Sequence, residues 1–197
     1  AAHGLDCACS TMSTDLKLRL LALSGSLRAR SSNAAALKAA AALAPAGVSV
    51  HLYEGLGELP HFNPDFDTEG ALLPEAVAAL RAEVQAADGL LISCPEYAHG
   101  VPGSFKNALD WLVSGSEIVG KPVAFLQTSP LATFAPAALH ETLRVMSARL
   151  VEEAFVTFPL RTGKIDEAAI LTDRTLSDAL RQGLTVFCRA ILEGRST

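Results

Sequence analysis

Leu18-Arg19-Leu20-Leu21-Ala22-Leu23-Ser24-Gly25-Ser26-Leu27-Arg28-Ala29-Arg30-Ser31-Ser32-Asn33 turns, within nine residues, from an apolar run to glycine, serines and arginines. Residues 18–24 are apolar nearly throughout instead of alternating, as in a strand of a parallel sheet covered on both faces. Ser31, Ser32 or Asn33 then offers a cap for a helix. A loop leaving such a strand and entering a helix places free backbone N–H groups and a positive helix end at its tip.

Outward from this stretch the same passage recurs. Further apolar runs at residues 48–53, 89–94, 123–128 and 150–158 alternate with helical patterns, the signature of stacked βαβ units. Pro74 fits the first turn of the second helix, and Leu73, Val77, Leu80 and Val84 line one of its faces. Leu176, Leu180, Leu184, Phe187 and Ile191 form the matching stripe of the last helix. Five parallel strands with right-handed crossovers are expected to form an α/β three-layer sandwich of strand order 2-1-3-4-5. Ligands bind such sheets beyond the carboxyl ends of the strands where the order reverses, here between strands 1 and 3. Function is therefore expected in the loops after residues 24 and 94.

A length of 197 residues suits one domain, and 50% hydrophobic with 19% charged residues suits a packed globule. Residues 16–197 are expected to form it. Residues 1–15 show no periodicity and read as a disordered tail or an expression remnant, with Met12 as a candidate second start. Cys7 and Cys9 with His3 lack the second ligand pair of a zinc site. The four cysteines form no disulfide framework, no run is long enough to span a membrane, and residues 1–15 lack the pattern of a secretory signal. These features read as a soluble cytoplasmic protein. A net charge of −5 disfavours nucleic acid or an anionic membrane as partner.

In the first loop, Ser26, Ser31 and Ser32 add hydroxyls, Asn33 an amide, and Arg28 or Arg30 charge, which together suit a phosphate monoester. Neither Gly-x-x-x-x-Gly-Lys-Ser/Thr nor Gly-x-Gly-x-x-Gly is present, which demotes ATP hydrolysis and dinucleotide-fold binding of NAD. The second loop runs Cys94-Pro95-Glu96-Tyr97-Ala98-His99-Gly100-Val101-Pro102-Gly103-Ser104-Phe105-Lys106-Asn107-Ala108-Leu109-Asp110-Trp111. Pro95 stops the strand, Gly100 offers unusual backbone angles, and Pro102 pre-sets the next helix. Such a rim suits the polar edge of a flat heteroaromatic ring. Lys106, Asn107 and Asp110 stand at helical spacing, and Trp111 reads as core or interface.

With these residues in view, the chain resembles the NADPH-dependent FMN reductase family, flavodoxin-like proteins that include chromate, quinone and azo-dye reductases. Gly25, Ser26, Leu27, Arg28, Ser31 and Asn33 match one family motif. Pro95, Glu96, Tyr97, Pro102, Gly103, Lys106, Asn107, Ala108, Asp110 and Trp111 match another. The resemblance covers roughly residues 16–192. Ala98 stands where the family usually has Asn, Phe105 replaces Leu, and residues 131–136 lack the family's glycines.

The resemblance implies that Ser26, Arg28, Ser31, Ser32 and Asn33 surround the phosphate of bound FMN. Pro95, Glu96, Tyr97, Ala98, His99 and Gly100 would line its ring, and Thr128 and Ser129, followed by Pro130, would add a third contact. It further implies an oxidoreductase working by ping-pong hydride transfer through flavin N5, from NADPH or NADH to quinone, azo, metal-oxyanion or flavin acceptors. No catalytic side chain and no metal are called for, because the cofactor carries the chemistry. Backbone N–H groups of residues 97–100 would stabilise the reduced ring. His99 would either guide an acceptor or donate a proton, or, the reading its loop position favours, be solvated or at an interface, and Glu96 would act through its backbone alone. The long connection across residues 54–71 resembles the family's loop near a partner subunit, and a homodimer or tetramer is implied. An FMN electron carrier without NAD(P)H activity, or a cofactor-free binding module, are the alternatives.

Overall fold

The computed structural model describes residues 17–68, 70–158 and 165–195. The tail at residues 1–15, with Cys7, Cys9 and His3, lies outside them. Elements follow in the order β1 (Leu18–Ser24), α1 (Ser32–Ala42), β2 (Val48–Leu52), α2 (Glu75–Ala86), β3 (Gly89–Ser93), α3 (Gly103–Val113), β4 (Pro122–Gln127), α4 (Phe134–Val145), β5 (Arg149–Leu150), β6 (Val156–Thr157), α5 (Glu167–Thr172) and α6 (Arg174–Arg195). The strands pair in parallel in the order β2-β1-β3-β4-β5, as expected.

Alternation along β1 assigns the layers. Leu18, Leu20 and Ala22 face α1, α5 and α6 together with Leu91, Ala124 and Leu126, whereas Leu21 and Leu23 face α2, α3 and α4 together with Leu90, Ile92 and Val123. Leu176, Leu180, Leu184, Phe187 and Ile191 of α6 are all buried in the first layer, and Val77, Leu80 and Val84 of α2 in the second. Leu73 packs half-buried beside them.

The fifth strand differs from the single run expected at residues 150–158. It is two short segments, both on β4: Leu150 opposite Val123, then Val156 opposite Leu126. A 3-10 turn over Glu152–Ala154 separates them. Adjacent Glu152 and Glu153 in a strand would send one carboxylate to each covered face, a costly burial. The turn instead leaves both exposed while Val151 and Ala154 stay buried.

The connection between β2 and α2 is anchored on α3. Pro60 O accepts from Trp111 Nε1 (2.8 Å) and Asn107 Nδ2 (3.0 Å), and Phe62 N–H donates to Asn107 Oδ1 (2.7 Å). Arg81 reaches Asp67 Oδ1 (2.9 Å), Trp111 O (2.7 Å) and Ser114 Oγ (2.8 Å). The Arg81 and Asp67 side chains are only 14% and 7% exposed, so this pair is shielded from solvent.

Candidate functional site

Three loops meet beyond the carboxyl ends of β1, β3 and β4. The first is drawn against the third strand by Gly25 N–H, which donates to Ser93 O at 2.8 Å. The approach leaves no room for a side chain, because a Cβ on Gly25 would strike Cys94 Sγ and stand 3.1 Å from Cys94 Cα. Ser93 is fully buried, and its hydroxyl lies 2.7 Å from Leu126 O and 2.9 Å from Asn33 Oδ1. Thr128 Oγ1 donates to the same Asn33 oxygen at 3.1 Å. Asn33 therefore ties all three loops together through its amide oxygen, and its Nδ2 has no partner among the described residues.

Ser31 is the N-cap of α1, with extended backbone (φ −111°, ψ 127°) and Oγ accepting from Ala34 N–H. Such a cap contributes about 0.5–2 kcal/mol to its helix. Its own hydroxyl proton stays free to donate. The N–H groups of Ser32 and Asn33 have no intrahelical acceptor at this position. Ser26 Oγ accepts from Arg28 N–H (3.4 Å), folding the loop back, while Arg28 and Arg30 are exposed with no ion pair among the described residues. Ser32 Oγ likewise accepts a backbone N–H, that of Ile165 at 3.2 Å on the α5 side, which leaves its hydroxyl proton to donate.

The second loop contains a closed two-residue turn. Tyr97 N–H donates to Gly100 O (3.0 Å) and Gly100 N–H to Tyr97 O (2.9 Å). Ala98 (φ 48°) and His99 (φ 58°) are both left-handed, as a primed hairpin turn requires. Two corrections follow. The unusual angles fall on Ala98 and His99 and not on Gly100, since the hairpin bonds put those two at its centre. Of the four N–H groups at residues 97–100, those of Tyr97 and Gly100 serve each other, leaving Ala98 and His99 as donors. The turn also explains the family's Asn at position 98, a residue that tolerates this conformation.

The Glu96 side chain is engaged within the protein, a role the sequence reading did not include. Oε2 accepts from Phe134 N–H (2.7 Å) and Ala135 N–H (2.9 Å), at the start of α4, where Thr133 supplies no side-chain cap. The Ala135 and Phe134 N–H bonds hold its carboxyl below the usual carboxylate range. The His99 ring stacks on Phe134, with centroids 4.2 Å apart and planes at 19°. Pro95 is half-buried and Tyr97 is exposed. Ser129 is exposed, and its carbonyl accepts from Gln127 Nε2 (2.7 Å), which also donates to Ala132 O (2.8 Å).

Ser93 and Gln127 were missed as site residues. A serine inside the apolar run of β3 was a visible signal, whereas nothing local marked Gln127. Lys106 pairs with Asp110 at 2.5 Å within α3, and Trp111 is core. An apolar hollow of about 420 Å³ lies under α4, lined by Cys94, Phe125, Leu139 and Phe155 among others. It adjoins the loops at Cys94 and holds none of the expected phosphate or ring contacts. Burial pushes the Cys94 thiol up to about 12, so it is no nucleophile at neutral pH. Among the described residues no His, Cys, Asp and Glu group could hold a metal, and no helix is long and apolar enough to cross a membrane.

The loop 1 donors, with helix N–H groups, serine hydroxyls and unpaired arginines, fit the phosphate of FMN. The N–H groups of Ala98 and His99, which have no backbone acceptor among the described residues, fit the polar edge of its ring. Comparisons with known proteins point to the same cofactor. The family model described as NADPH-dependent FMN reductase matches residues 18–161. An NAD(P)H-dependent FMN reductase of Pseudomonas aeruginosa is 42% identical over 120 residues, covering 60% of this chain and 62% of that protein. A quinone reductase of Escherichia coli K12 is 31% identical over 178 residues, covering 87% of this chain and 94% of that protein. Among solved structures, FerB, a flavoenzyme NAD(P)H:(acceptor) oxidoreductase of Paracoccus denitrificans, superposes with a TM-score of 0.71 at 28% identity, over 89% of this chain and 98% of that one. The fold is flavodoxin-like.

Proposed function

Because this chain belongs to the NADPH-dependent FMN reductase family, we propose that it is an FMN-dependent oxidoreductase that passes electrons from NADPH or NADH to small-molecule acceptors, quinones first among them. The observation that carries this reading is the convergence, through Asn33, of a donor-rich helix start with the loops after β3 and β4. Bound FMN would supply the chemistry, taking hydride at N5 and returning electrons to the acceptor in a second half-reaction.

The chain's own residues bind, orient and shield. Ser26, Arg28, Ser31 and the first-turn N–H groups of α1 would hold the phosphate. Asn33, Thr128 and Ser93 keep the three loops in register. Ala98 and His99 N–H groups would bond the ring's polar edge, where they favour negative charge. The start of α3, preceded by Pro102 with no side-chain cap, adds a positive helix end nearby in sequence. No side chain is needed as nucleophile or general base. Azo compounds, metal oxyanions and free flavin are the further acceptor classes of this reading.

Self-association finds support in Val113, Val119 and Val145, which are 59%, 59% and 68% exposed and border one groove between α3 and α4. Three exposed valines around one groove suit a homodimer contact. The test is the visible spectrum of the purified chain titrated with FMN, followed by anaerobic NADPH and NADH. Bound flavin that either nucleotide bleaches supports the reading. Bound flavin that neither reduces leaves an electron carrier, and failure to bind FMN leaves a cofactor-free module.

A further inference from the structure

The loop between β4 and α4 carries none of the glycines that would shape it by backbone freedom, yet it is held at both ends by side-chain bonds. Gln127 Nε2 grips its start through Ser129 O and Ala132 O, and Glu96 Oε2 grips its end through Phe134 and Ala135 N–H. The second grip reaches across from the neighbouring loop, 38 residues away in sequence. Three residues beyond Glu96, His99 lies face to face with Phe134. A polar bond and a ring stack thus join the same two loops side by side. Phe134 is 53% exposed even so, leaving much of its apolar surface bare beside the candidate site.

We propose that Glu96 is a positioning residue for the electron acceptor: by clamping α4 to the loop after β3 it holds Phe134 and His99 as a flat wall against which the outer ring of a bicyclic aromatic acceptor packs. This rests on the flavin-reductase reading of the site. A one-ring acceptor makes less contact with such a wall and depends on it less. The carboxylate is suited to the task because one oxygen accepts both N–H groups of an otherwise uncapped helix end, with favourable charge.

The test uses the full chain loaded with FMN and its variants Glu96→Ala, Glu96→Gln and Phe134→Ala. Amide hydrogen exchange is followed at residues 134 and 135, and KM is measured for 1,4-benzoquinone and 2-methyl-1,4-naphthoquinone. Glu96→Ala is expected to speed exchange of both amides at least tenfold and to raise KM for the naphthoquinone about fivefold more than for the benzoquinone. Glu96→Gln, whose amide oxygen can still accept, should recover most of both effects. Phe134→Ala, at an exposed position, should reproduce the KM split, so the proposal stays testable even if Glu96→Ala misfolds. Unchanged exchange refutes the clamp. Faster exchange with an unmoved KM ratio reduces Glu96 to a helix cap and overturns the proposal alone. A parent chain that binds no FMN overturns the underlying reading as well.

Discussion

Replacing Ala98 by Asn should stabilise the protein while leaving every backbone donor of the site in place. Ala98 sits at φ 48° and His99 at φ 58°, in a turn closed by two hydrogen bonds between Tyr97 and Gly100. An L-residue other than Gly, Asn or Asp pays about 1–2 kcal/mol in this region. The Ala98 side chain is exposed, so replacing it forfeits no core packing. Asn relieves part of the strain through its local hydrogen bonding, for a gain of about 0.5–1 kcal/mol. Gly relieves all of it but returns about 0.4–1 kcal/mol as unfolded-chain entropy, for a similar net gain. In a chain of this size, 1 kcal/mol moves Tm by about 2–4 °C. Val, which is branched at Cβ, should lower Tm by at least as much. Calorimetry on the four proteins, with and without FMN, gives the comparison. The reasoning fails if Asn and Gly are both neutral or destabilising, or if Val is harmless, because either result means the turn is not left-handed at residue 98.

Arg28→Ala should weaken FMN binding by about 1.5–3 kcal/mol, the range for a hydrogen bond to a charged group, and unchanged affinity in a fluorescence titration would remove Arg28 from the phosphate site. Arg81→Met leaves Asp67 shielded without its cation and should cost about 3 kcal/mol in urea unfolding; a loss under 1 kcal/mol would mean the loop is held by Asn107 and Trp111 alone. Cys94, pushed up to about 12, should be alkylated by iodoacetamide at pH 8 at least a hundredfold more slowly than a free thiol in peptide-resolved mass spectrometry. Glu96 sits below its ordinary range in the folded chain, so its clamp contributes above the unfolded carboxylate's pKa and is lost as pH falls through the folded value. Exchange at residues 134 and 135 should stay slow at pH 5, after correction for intrinsic rates, and speed up only in more acid solution; loss of protection by pH 5 would contradict the assignment.

The interior of the sheet was readable because buried parallel strands need apolar side chains on both faces. Four of the expected strands begin and end within one residue of β1, β2, β3 and β4. The fifth was not, because the paired acids Glu152 and Glu153 acted through burial cost, which an apolar average over residues 150–158 conceals. At the site, residue type forecast that serines and arginines would surround a helix start, and Ser31 does cap it. What side chains would bond was less visible. Asn33 and Glu96 both meet partners more than 35 residues away, and only the assembled loops reveal that one joins three strand ends and the other two loops. Strain at Ala98 was hidden for a related reason. Gly100 drew attention by composition, but the hairpin register decides which residues turn left.

The anchoring of the long connection on α3 gives the protein an optical gauge. Trp111 is the chain's single tryptophan, fully buried, with its indole N–H on Pro60 O and the edge of Phe62 at a centroid distance of 5.0 Å. Lifting residues 60–62 from α3 would take away that carbonyl and that ring together and admit water to the indole. Its emission would then shift to the red, with no second indole to dilute the signal, so the docking of one loop can be followed by fluorescence in the unlabelled protein.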